Sequence, residues 1–205
     1  CNSYTAIDKI NSVIDNLSSK YKEHNFFVSN FPPFDKIDDD SYDTIISFQV
    51  IEHIEDDKLF VAEIKRILKP GGIALISTPN IRMTLTRNPW HVREYTSEEL
   101  RKLCELYFSN IEMNGISGND KVIQYYNQNL NAVKKFKKLD IFNLEKRLPS
   151  FIYKIPYEVL NRINRNNLQK NDDRLVSSIT HNDYRFVSDN PNNLDLFIVL
   201  RKNKK

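Results

Sequence analysis

The sequence predicts an α/β fold built on a mainly parallel sheet, and three observations predict it. Short apolar runs rich in β-branched and aromatic residues (YTAI, FFVS, TIISF, IALIST) recur along the first half of the chain. Amphipathic segments with apolar residues at three-and-four spacing separate them. Strands that alternate with helices must be joined by crossovers, which makes neighbouring strands parallel and the connections right-handed. The third observation is size: 205 residues, 40% of them hydrophobic and 28% charged, suffice for one well-buried domain and do not require two.

Tyr4 to Ile7 reads as a strand that stops at Asp8, and Ile10, Val13, Ile14, Leu17 and Tyr21 follow at helical spacing. Asn25 opens the next strand, FFVS, which ends in the Asn30-Phe31-Pro32-Pro33 loop. The turn-rich DDDSYD stretch leads into TIISF, whose near-continuous apolar character suits a strand covered on both faces. After VIEHI, the segment Asp56 to Leu68 places Leu59, Phe60, Ile64, Ile67 and Leu68 on one helical face. Lys69-Pro70-Gly71-Gly72 ends that helix, since proline resists continuation and glycine permits a left-handed turn. IALIST is the following strand. Ser97, with Glu98 and Glu99 in the first turn, starts a helix whose apolar face is Leu100, Leu103, Leu106 and Tyr107. Ile111 to Met113 and LDLFIVL supply the last strands.

This pattern divides the chain into a core over 1–114, an insertion or cap over 115–193, and a last core strand with its tail over 194–205. The insertion reads as mainly helical, basic and aromatic, with prolines at 149 and 156. Between 120 and 170 it carries eleven basic residues against four acidic ones. A solvated helical cap, a substrate lid and peripheral contact with an anionic membrane surface all fit that composition.

Several functions are excluded. A net charge of +3 is too small to argue for nucleic acid. The two cysteines, Cys1 and Cys104, belong to no metal-ligand spacing, so no metal site is expected. No apolar run reaches the roughly 20 residues of a membrane-spanning helix, and no signal-peptide layout opens the chain. The expectation is a cytoplasmic protein, in peripheral contact with the inner membrane face if 120–170 rests there.

In open parallel sheets ligands bind beyond the carboxyl ends of the strands. Those ends are Asp8, then Asn30 and Phe31, then Gln49 to His53, then Thr78 to Asn80. Asp8 has the type and place to accept hydrogen bonds from a ribose diol, and equally to cap the helix behind it. Asn30 is read either as a group facing an adenine edge or as a turn residue, with Phe31 beside the ring. Glu52 and His53 are candidates for a base or a substrate-positioning pair, and His53 serves equally as a helix-start residue. Trp90 and His91 sit in the long connection after IALIST, where they line a pocket or plug the core.

Taken in order, YDTIISFQVIEHIEDDKLFVAEIKRILKPGGIALISTPN and HVREYTSEELRKL resemble the class I S-adenosylmethionine-dependent methyltransferases of the type 11 and 12 domains. The resemblance runs from about Thr5 to Met113 and returns faintly at LDLFIVLRK. It implies a Rossmann-like three-layer sandwich with an antiparallel C-terminal strand, and S-adenosyl-L-methionine as cofactor. It implies that Asp8 holds the cofactor ribose, that Asn30 and Phe31 lie by the adenine, and that Phe48, Gln49 and Val50 pass the methionine moiety. Glu52 and His53 then face the substrate, and His53, His91 and Glu52 are the candidates for taking a proton from a hydroxyl acceptor. A small-molecule or lipid-linked glycan hydroxyl is the expected acceptor.

One element of the resemblance is missing. The family has a first strand and a glycine-rich loop ahead of the SYTAID-like segment, whereas the glycines here stand only at 71, 72, 115 and 118. The chain is therefore expected to be a domain entered midway, with a gap between the strands ending at Asp8 and Phe48 and with poor cofactor binding of its own. Two other readings share parts of this pattern: a non-catalytic methyltransferase-like partner subunit, and a nicotinamide-dependent Rossmann oxidoreductase.

Overall fold

Sheet pairing divides the strands into two sets. The computed structural model describes residues 3–139 and 175–204. In the first set β1 (Thr5–Asp8) pairs in parallel with β2 (Asn25–Val28), the two joined by α1 (Asn11–Lys20). The second is a five-stranded sheet of β3 (Tyr42–Phe48), β4 (Leu68–Pro79), β5 (Asn110–Gly118), β6 (Tyr184–Ser188) and β7 (Asp195–Arg201), in the order β3-β4-β7-β5-β6. β3 and β4 are parallel, and β7 runs antiparallel to both β4 and β5. Among the described residues no strand bridges β1 to β3, the position where the sequence predicts a gap.

Helix ends follow local chemistry. α2 (Asp57–Ile67) is capped by Asp56, whose carboxylate accepts from Leu59 N at 2.9 Å. α3 (Ser97–Glu105) begins where the sequence places it, but its cap is Thr96: the Thr96 hydroxyl accepts from Glu99 N while the Glu99 carboxylate accepts from Thr96 N. Ser97 is thus the first helical residue, and its hydroxyl donates to Asp189 instead. Gly71 turns the chain after α2 with φ +80, and a side chain at Gly72 would meet the carbonyl oxygens of Asp43 and Lys69 at 2.9 Å.

The core lies on one face of the larger sheet. Ala74, Ile76, Leu196, Ile198 and Leu200 point to that side and cluster with Phe60, Ile64 and Ile67 of α2 and Leu100, Leu103 and Cys104 of α3. Burying each such side chain contributes roughly 1.5–3 kcal/mol, so this cluster accounts for most of the driving force that holds α2 and α3 to the sheet. Alternate residues face the other way, and there Ile46 and Phe186 are about 60% exposed. Ring contacts connect Phe48 to Phe197 and Phe197 to Phe186 across that face.

The boundary expected at 115 needs correction. β5 continues to Gly118, and residues 114–118 pair with β6, so both ends of the presumed insertion are strands of the main sheet. Gly115 and Gly118 weaken the strand pattern in sequence, yet each sits against a neighbour, Asn193 and Val122 respectively. Helical character is found from Asp120 to Leu139 in α4. The basic residues between 140 and 170 lie outside the described residues.

Candidate active site

Two loops meet at the carboxyl ends of β3 and β4. β3 stops at Phe48, and Gln49 takes the left-handed conformation at φ 55, uncommon for a side chain of this kind. The strain is held by the Gln49 N–H, which donates to Ser77 O of β4 at 2.9 Å. A 3-10 turn over Ile51–His53 follows, its first residue fully buried in the core. That turn points Glu52 inward, 1% exposed, and leaves His53 at the surface.

Each polar group in the turn is positioned by something else. The Thr78 hydroxyl, just inside the end of β4, donates to Glu52 Oε2 at 2.9 Å. The Glu52 carbonyl accepts from Val92 N at 2.8 Å, which fastens the connection after β4 over the turn. His53 Nδ1 lies 3.0 Å from the Trp90 carbonyl, and because a carbonyl only accepts, that nitrogen carries the hydrogen. In the neutral ring the lone pair of His53 is then on Nε2, 4.0 Å from Glu52 Oε1.

His91 joins them from the same connection. Its ring stands edge-on to His53, with centroids 4.9 Å apart. His91 Nδ1 lies 2.6 Å from Glu94 Oε1, so it donates, and Nε2 accepts from the Asn88 amide at 2.8 Å. The second Glu94 oxygen is taken by the Thr84 hydroxyl. Sequence spacing did not reveal Glu94 as the partner of His91, since only the fold of the 84–94 connection brings them together.

Asp195 is the other residue that sequence reasoning missed. It starts β7 opposite Pro79, and burial pushes its carboxyl up to about 6 despite a hydrogen bond from Gln49 that works the other way; the nearby Glu52 adds to the rise. An acid with that perturbation at a strand rim is a functional candidate on physical grounds. Cys104, by contrast, is buried among α3 residues, and burial pushes its thiol up to about 12, which removes it as a nucleophile.

The second rim lies at the ends of β1 and β2. Asp8 Oδ1 accepts from Ile10 N at 2.8 Å, a local turn, while the cap position of α1 is Ile10. No other hydrogen bond to the Asp8 carboxylate is made among the described residues, so acceptor capacity remains on this partly exposed side chain. Asn30 is exposed, one residue beyond Ser29, whose N–H donates to the Asp8 carbonyl. Phe31 is partly buried: its ring packs against the core on Phe34 at 5.5 Å and Phe60 at 6.2 Å. Phe60 lies in the first turns of α2, so this contact also brings the end of β2 to the side where the Glu52 turn leads into that helix.

The methyltransferase domain family matches residues 1–76, a stretch that includes Asp8, Asn30, Gln49, Glu52 and His53. A probable S-adenosylmethionine-dependent methyltransferase of Mycolicibacterium smegmatis is 47% identical over 73 residues, which span 33% of this chain and 28% of that protein. Residues 1–76 are thus similar to S-adenosylmethionine-dependent methyltransferases. A ubiquinone biosynthesis O-methyltransferase of Rickettsia conorii is 36% identical over 80 residues, 37% of this chain and 27% of that relative. The chain thus spans less than a third of the length of these two relatives. A solved S-adenosylmethionine-dependent methyltransferase from Archaeoglobus fulgidus shares the methyltransferase fold over 97% of this chain and 75% of its own, with TM-score 0.53 and 16% identity. His91, Glu94 and Asp195 lie beyond the matched methyltransferase segment, so the structure alone attaches them to its rim.

Proposed function

We propose that the protein transfers a methyl group from S-adenosylmethionine to a hydroxyl of a small molecule or glycan, and that the Glu52, His53 and His91 group receives that hydroxyl. The observation that carries this reading is the convergence of three proton-accepting side chains at the carboxyl end of β3, where a family strand end meets an open rim. The Rickettsia relative, named for O-methylation, supports oxygen as the acceptor atom.

The residues fit the nucleoside half of the donor. Asp8 offers remaining acceptor capacity to a ribose diol, Asn30 stands exposed beside it, and the left-handed Gln49 turn opens the backbone at the β3 end. None of the glycines contributes a cradle, since Gly71, Gly72, Gly115 and Gly118 all sit against atoms of the chain itself. When bound, S-adenosylmethionine supplies a methyl group on a sulfonium that is its own leaving group, so the reaction asks for alignment more than for acid catalysis. The chain must orient the acceptor oxygen and remove its proton. His53, held by the Trp90 carbonyl and partly exposed, presents Nε2 for that task, and His91 can join it once its Nε2 releases the Asn88 amide.

The test is methyl transfer from radiolabelled donor by the complete protein to a panel of glycan and phenolic acceptors. Transfer that falls at least tenfold in His53→Ala and His91→Ala supports the reading. Donor binding with no transfer to any oxygen acceptor would instead favour a non-catalytic methyltransferase-like subunit.

A further inference from the structure

The Glu52, His53 and His91 cluster gathers three metal-competent side chains around one point. His53 gives Nδ1–H to the Trp90 carbonyl, and Nε2 of the neutral ring presents a lone pair 4.0 Å from Glu52 Oε1, whose side chain is 1% exposed. A cation shared by the two atoms would satisfy both acceptors.

We propose that Glu52, His53 and His91 bind a divalent first-row transition cation of the zinc or cobalt type, which takes the acceptor hydroxyl as a further ligand. The proposal rests on the methyl-transfer reading for its substrate and on the geometry for its site. One ligand atom from each of the three side chains lies within 4.8 Å of the others. Zinc-type distances of about 2.0–2.2 Å to nitrogen and oxygen bring such donors to roughly 3–4 Å apart, so side-chain rotations of about 1 Å complete the site. Two imidazoles and one carboxylate suit borderline cations over magnesium or calcium, and three protein ligands leave positions open for substrate.

The surroundings are those of a metal site. Ligating histidines characteristically give their second nitrogen to a carboxylate or a backbone carbonyl, and ligating carboxylates are themselves hydrogen-bonded. All three conditions hold: His91 Nδ1 to Glu94 at 2.6 Å, His53 Nδ1 to Trp90 O at 3.0 Å, and Glu52 Oε2 from the Thr78 hydroxyl at 2.9 Å. On His91 the lone pair of Nε2 is held by the Asn88 amide at 2.8 Å, and binding exchanges that neutral contact for the cation. A hydroxyl bound to such a cation loses its proton far more readily than a free one, and with the imidazole lone pairs engaged by the cation, solvent at the partly exposed His53 side receives that proton in place of either histidine.

Trp90 is the single tryptophan of the chain and its carbonyl holds His53, so the site carries its own reporter. Chelator-treated protein is titrated with Co²⁺ while Trp90 fluorescence and visible Co²⁺ absorption are followed. Both signals are expected to saturate near one equivalent, with affinity lowered at least tenfold in His53→Ala and His91→Ala. Glu52→Gln keeps the shape and the Thr78 contact, and is expected to show the same loss with an unchanged far-ultraviolet spectrum. Absence of saturation, or affinity unchanged in all three variants, overturns the site. Saturable Co²⁺ binding without methyl transfer would leave the site standing and sink the methyl-transfer reading; chelator-insensitive transfer would do the reverse.

Discussion

The Thr78 hydroxyl meets the Glu52 carboxylate at 2.9 Å between the ends of two parallel strands, and both residues are essentially inaccessible to solvent. A carboxylate in that position depends on its donor, since an unpartnered buried acceptor costs about 1–3 kcal/mol. Thr78→Val keeps the shape and removes the donor, so it is expected to destabilise the fold by about that amount, with Thr78→Ser close to wild type. Denaturant titration of the three proteins checks this.

Asp8 separates two roles that the sequence leaves open. Its Oδ1 closes a local turn on Ile10 N, a bond that an asparagine oxygen also makes. Asp8→Asn is therefore expected to leave stability within about 0.5 kcal/mol, the range of surface substitutions without a structural role. Loss of the charge should still weaken donor binding at the ribose severalfold. Calorimetric titration of the complete protein with S-adenosylhomocysteine, beside a melting curve, distinguishes the two effects.

The strand and helix order was legible because periodicity is a local property: β1 to β4 and α1 to α3 fall within a few residues of where the apolar spacing places them. β6 was not legible. YRFVS shows weak alternation, four of its residues stay exposed, and its place is set by pairing with β5 across more than sixty residues. The same limit divides the site. Asp8, Gln49, Glu52 and His53 follow strand ends and can be read in order along the chain, whereas Glu94 and Asp195 acquire meaning only from a loop path and an antiparallel return. Phe31 shows the converse limit, because its loop position did not reveal that the ring also packs against Phe34 and Phe60.

The two faces of the large sheet predict opposite mutational costs. Ile198 is fully buried beneath α2 and α3, whereas Ile46 on the other face is 60% exposed. Ile198→Ala is expected to cost about 2–5 kcal/mol, transfer and cavity terms together. Ile46→Ser should change stability by less than about 1 kcal/mol, in line with surface positions. Equal costs in chemical denaturation would show that the Ile46 face is covered in solution.

Asp195 makes stability depend on pH in a direction opposite to that of most carboxylates. Burial raises its folded pKa from 3.8 to about 6, so the native state holds a proton over a range in which the unfolded chain has released it. Stability falls with rising pH wherever the native state binds more protons, so the penalty develops from about pH 4, grows to about pH 6, and is complete above that. Asp195→Asn keeps an oxygen for the Gln49 hydrogen bond and removes the titration. The variant is expected to match wild type below about pH 4 and to exceed it at pH 7 by on the order of 2 kcal/mol, since each pKa unit is worth about 1.4 kcal/mol. Paired urea titrations at pH 4, 5, 6 and 7.5 follow the divergence. Parallel curves across that range would mean that Asp195 reaches water in the native state and that burial does not set its acidity.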